Sequence, residues 1–144
     1  MAYATQTDLE NRVGGPDRLA VLLADNQGME LAGRLAAAIA DAEAEIDSAL
    51  EAFYAVPFSA VPAIVTRWAA DLALGALVGD RSGTGPIAAR ALEAKNQLAE
   101  VRAARRSIPG VARKDGTGGS DDPDPTFTRG EDQVDGNGGT MDVW

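Results

Sequence analysis

The 144-residue chain contains no histidine and no cysteine. That removes the imidazole base, the thiol nucleophile, the Cys/His zinc site and the disulfide from its repertoire, and leaves carboxylates, hydroxyls, lysines and arginines. The lack of cysteine is neutral about redox compartment, since such a chain folds equally well in reducing or oxidising surroundings. Long apolar runs are missing too: none approaches the roughly 18 residues of a membrane span. Asp8, Glu10 and Asp17 lie where a signal peptide needs an apolar stretch. A soluble protein with no membrane contact and no cofactor is expected.

Positive charge is scarce: 13 Lys and Arg stand against 22 Asp and Glu, a net charge of −9. The excess is uneven, with 14 acids and 10 bases from Met1 to Pro109, and 8 acids and 3 bases from Gly110 to Trp144. Nucleic-acid affinity comes largely from Lys and Arg displacing counterions, so a grip on a phosphate backbone is not expected. The composition changes at Gly110. The last 35 residues hold eight glycines and few large apolar side chains, too few to offset their ordering entropy. Two parts are therefore expected: a helical domain over 1–109, and a Gly/Asp-rich extended tail over 110–144, disordered when free.

Within the first part the hydrophobic period is helical. Leu31, Leu35, Ala38, Ile39, Ala42, Ile46, Ala49, Leu50 and Phe53 fall on one stripe of a helix from about Met29 to Ala55. Val56 precedes Pro57, which disfavours the helical region and stops it. Pro62 suits the first position of the next helix, where a missing N–H costs nothing. There Ile64, Val65, Trp68, Ala69, Leu72, Ala73, Ala76 and Leu77 cover most of the circumference, broken by Thr66, Arg67 and Asp71. So apolar a helix belongs at the centre. Thr5–Asp8, "TQTD", reads as the cap of a short first helix. Pro16 opens a second that ends near "DNQG", and Pro86 opens the last, with Ile87, Ala91, Ala94, Leu98 and Val101 inward. The expected fold is an all-α bundle of two short N-terminal helices and three longer ones.

Several stretches invite a chemical reading. Asp41, Glu43, Glu45, Asp47 and Glu51 could form a hard-metal or paired-carboxylate site; a solvated helix face is the simpler reading, because no second acidic cluster with ligand spacing appears. Their like-charge pairs four apart are each destabilising, so a cation from Arg67 or a neighbouring subunit is expected to offset Glu43 and Asp47. "GDRSGTGP" lacks the Gly-Lys-Ser/Thr ending of a phosphate loop, and "DQVDGNGGTMD" matches a calcium loop only at Asp135 and Asn137. No catalytic and no metal residue is assigned.

Three segments together carry a resemblance: "YATQTDLENRVG" from Tyr3, "AAAIADAEAEIDSALEAFYAVPF" from Ala36 to Phe58, and "VPAIVTRWAADLALGAL" from Val61 to Leu77. They resemble the Mu-type family of small tailed-phage virion proteins, which is similar to head-tail connectors, or adaptors. The resemblance covers about residues 3–105. Its most specific part is "AEID", then Tyr54, Pro57 and "VP", in register with an apolar helix. It implies a structural protein, not an enzyme: a helical subunit of a ring, usually of twelve copies, at the virion neck of a phage or gene transfer agent, made in the bacterial cytoplasm. Implied partners are the portal protein, neighbouring adaptor copies and a stopper or tail-side protein, with DNA passing through unbound. Asp47, Tyr54, Pro57 and Pro62 carry over as the motif that sets the corner between the long helices.

An acidic helical protein could instead mimic DNA and block a basic partner. A carboxylate hydrolase would need two carboxylates about 5–10 Å apart across a cleft, for which the sequence gives no sign. Glu43, Asp47, Arg67, Arg105 and Arg106 are candidate inter-subunit charge contacts. Phe127 between threonines, and Met141, Val143 and Trp144, are candidate anchors on a partner, since β-branched and aromatic segments on glycine tethers can add to a sheet edge or fill a pocket.

Overall fold

The computed structural model describes residues 2–24, 31–78 and 85–115. They form five helices: α1 (Gln6–Val13), α2 (Pro16–Leu23), α3 (Leu31–Leu50), α4 (Ala63–Val78) and α5 (Pro86–Arg102). Among the described residues there is no strand, and the all-α expectation holds.

Each start has a local cause. α1 opens with a capping box, in which the Asp8 N–H donates to Thr5 Oγ1 and the Thr5 N–H to Asp8 Oδ2 at 2.7 Å. α2 and α5 begin on Pro16 and Pro86, whose missing N–H removes an orphan donor. Pro62 stands one place before α4 and caps it with its carbonyl, which accepts from Val65 and Thr66. The second short helix ends at Leu23, just ahead of "DNQG" as expected, while the start near Met29 and the "GDRSGTG" turn lie outside the described residues, except for Gly85.

α4 is the axis of the bundle, packed against the other four helices. Val65, Trp68, Ala69, Ala70, Leu72, Ala73, Leu74 and Leu77 are buried, while Ala76, expected inside, is exposed. Leu35, Ala38, Ala42, Ile46 and Leu50 of α3 and Ala91, Ala94, Leu98 and Val101 of α5 close over it, with Ile39, Ala49, Phe53 and Ile87 at the margin. Gly75 lets α4 and α5 touch: a Cβ built there would lie 2.6 Å from that of Ala91.

The long helix ends earlier than its sequence suggests, at Leu50 and not near Ala55. Glu51 to Phe53 form a turn, and the carbonyls that would continue the helix are taken from outside it. The Glu51 carbonyl accepts from Lys114 Nζ at 2.7 Å, and that of Phe53 from the Lys114 main-chain N–H at 2.8 Å. The intruding segment arrives because α5 closes in a Schellman motif. Arg105 N–H bonds the Glu100 carbonyl and Ala104 N–H that of Val101, with Ala104 left-handed at φ 60°. The chain thereby turns back, buries Ile108 and lays Gly110–Asp115, the first residues of the acidic tail, along the α3 end.

Candidate functional site: the corner and the exposed faces

The corner of residues 51–62 is built from aromatic side chains, and two tyrosine hydroxyls lock it. Tyr3, Tyr54 and Phe58 are buried together, with Phe58 ring centroids 5.8 Å from Tyr3 and 6.4 Å from Tyr54 in tilted geometry. The Tyr3 hydroxyl donates to Asp47 Oδ1 and accepts from the Phe58 N–H at 3.2 Å, while its main-chain N–H reaches Glu43 Oε1 at 3.0 Å. Burial, and then the bond to the Asp47 carboxylate, push the Tyr3 hydroxyl well above its ordinary pKa. Tyr54 accepts from the Ile108 N–H at 2.9 Å. The Val56–Pro57 peptide is cis, and Pro57 is exposed.

This arrangement changes the expected role of the acidic edge. Glu43 and Asp47 are offset inside the protomer, by the neutral Tyr3 rather than by Arg67. Arg67 is exposed and makes no ion pair with a described residue. The acids that do face outward are Asp41 and Glu45 of α3 and Glu51 in the turn after it, with Glu45 4.0 Å from Lys95. Arg102, Arg105 and Arg106 are exposed at the end of α5, and Arg106 lies 3.6 Å from Glu100.

The polar break expected on the central helix is in fact an internal ion pair. Asp71 is only 4% exposed and accepts from Arg12 Nε at 2.9 Å and Nη2 at 2.5 Å, a two-pronged contact tying α1 to α4. Arg90 on α5 donates to the Arg12 carbonyl at 3.0 Å, so three helices meet at this arginine. Sequence reading noted Asp71 as an interruption without assigning its partner. The signal was a lone acid on a buried helix, which requires a cation. Trp68 Nε1 is likewise satisfied, donating to Gln97 Oε1 at 2.9 Å.

Among the described residues, no group of His, Cys, Asp or Glu could hold a metal ion, and no helix is long and apolar enough to cross a membrane. An open apolar groove of about 430 Å³ lies between the α1–α2 turn and the start of α5, lined by Val13, Val21, Leu22, Pro86 and Ile87 and rimmed by Asp17, Arg18 and Arg90. A smaller one of about 210 Å³ runs between α3 and α5 beside Glu45, Lys95 and Arg102. The tail anchors Phe127, Met141, Val143 and Trp144 lie outside the described residues.

What the described residues define is a small unit of five helices, tied to one corner through Tyr3 at one side and Ile108 and Lys114 at the other, whose notable features are outward faces. The family described as Bacteriophage Mu, Gp36 matches it over residues 3–123, and the chain belongs to that phage family. The match runs past the 3–105 expected and takes in the segment that returns to the corner. The family points to a phage structural or morphogenesis protein. No curated protein matches the chain.

Proposed function

We propose that the chain is a head-tail connector, or adaptor: a structural protein without catalytic activity that joins other copies in a ring, usually of twelve, on the portal of a phage or phage-like particle. The carrying observation is its membership of the phage family over residues 3–123. In this reading the protein sits at the virion neck. A stopper or tail-side protein attaches next, and an acidic ring lets DNA slide through without adhering. Arg105 and Arg106 of one copy meet the outward acids Asp41, Glu45 and Glu51 of the next. Glu43 and Asp47, being engaged by Tyr3, hold the protomer's shape. The tail crosses to the portal or to a neighbouring ring protein and buries Phe127 and Trp144 there.

Co-expression with the portal protein of the same phage or phage-like particle is the test. A stable co-eluting complex, with a ring of copies on the portal in electron microscopy, is the expected result. Failure to co-elute, together with competition against DNA for a basic partner, would replace this reading with that of a DNA mimic.

A further inference from the structure

We propose that the apolar groove of α1, α2 and α5 is the docking site for this chain's own segment Thr140–Trp144, with Trp144 seated against Val21 and Ile87 and Asp142 facing Arg18 and Arg90. Val21 is 72% exposed, the most exposed large apolar side chain among the described residues, and it stands in the groove wall. At about 430 Å³ the hollow is within the range of sites that enclose one aromatic group and its neighbours.

Charge selects the occupant. The rim presents two guanidinium groups and one carboxylate, and residues 116–144 carry seven acids and one base. Of the two apolar stretches in that segment, "PTFTRG" would bring Arg129 against Arg18 and Arg90. "TMDVW" brings three apolar side chains and an acid. It is therefore the better complement in both respects.

Reach permits docking within one chain. The tail departs from the corner, where Lys114 is fastened, and the groove lies at the opposite end of α5, about 25 Å away at 1.5 Å per residue. The glycine-rich tether of 25 residues from Asp115 to Thr140 could span up to about 80 Å if fully extended, so the groove is within its reach. Such a tether supplies an effective concentration on the order of millimolar, which favours the chain's own groove over that of a second copy in dilute solution. Docking here covers the tail's anchor until a partner competes for it. The inference concerns the free protein and stands whether or not that partner is a portal.

The test uses the absence of cysteine from the natural sequence. In full-length protein, the pair Val21→Cys and Val143→Cys is oxidised mildly and compared with Ala36→Cys and Val143→Cys, which places the first thiol on the exposed face of α3. An undirected tether would close either link at similar rates. Docking predicts that the Val21 link forms within the monomer about tenfold faster, the equivalent of about 1.4 kcal/mol. A labelled Gly138–Trp144 peptide is expected to bind the full-length Trp144→Ala variant about tenfold more tightly than the natural chain, whose groove is already filled. Equal link rates, links mainly between two chains, or equal peptide binding to both proteins would each overturn the proposal.

Discussion

Arg12 and Asp71 show what a single residue decides in this protein. Removing the guanidinium leaves a carboxylate buried in the central helix with no counter-charge. Arg12 is itself partly exposed, so Arg12→Met is expected to cost about 2–3 kcal/mol, below the usual range for breaking a fully buried pair. Replacing both partners, Arg12→Met with Asp71→Leu, should recover most of the loss, because the desolvation penalty of both charges disappears with them. Thermal unfolding of the two variants separates these outcomes. Tyr3 acts by a different route. Its proton is held more tightly folded than unfolded, so its contribution is complete below the unfolded value of about 10 and declines as pH rises above it toward the folded value. Tyr3→Phe should lower stability at neutral pH by about 1–2 kcal/mol and flatten the alkaline decline. Denaturant titrations at neutral pH and above pH 10 check both.

At the scale of the helices, two small residues set opposing demands. Alanine has the better helix propensity by about 1 kcal/mol, so Gly75→Ala would stabilise an isolated helix. In the bundle the added methyl would stand 2.6 Å from the Ala91 Cβ, which is not at the end of a flexible side chain. Overpacking wins: a net loss of about 1–2 kcal/mol is expected, relieved when Ala91→Gly is added. Ala104 is the reverse case, an alanine in the left-handed position of the α5 cap. Ala104→Gly should raise stability by about 0.5–1 kcal/mol in denaturant unfolding. The helices themselves were legible in the sequence because each carries at least one local signal: a capping box at α1, a proline at or just before the start of α2, α4 and α5, and a 3.6 period along α3. The end of α3 was not. Its period continues to Phe53, and the carbonyls are diverted by Lys114, a residue more than sixty positions away that no local pattern can announce.

For the molecule as a whole, the composition break at Gly110 and the packing of the chain fall at different places. Val111 packs against the core, Arg113 lies 4.5 Å over the Phe53 ring, and Lys114 bonds the turn after α3, so packing among the described residues continues past Gly110 at least to Lys114. Truncation after Pro109 should lower the melting temperature by several degrees, whereas truncation after Asp115 should leave it nearly unchanged. Calorimetry on both decides whether that segment belongs to the fold. The corner motif was readable as a set of residues, Asp47, Tyr54, Pro57 and Pro62, but its mechanism was not. Tyr3 and Ile108, which satisfy Asp47 and Tyr54, come from the two extremes of the helical unit, and hydrogen-bond partners at such separations leave no periodic trace.

The fastening of Lys114 has a mechanical side. Tension applied to the tail reaches Lys114 first, where two bonds pass it to the Glu51–Phe53 turn that follows α3. It next reaches Ile108, where Tyr54 passes it to the corner. Both anchor points come before α5 along the path of the pull. A tug on the tail is thus shared with the end of the longest described helix before α5 can be peeled from its end, much as a rope is made fast at a cleat ahead of the knot.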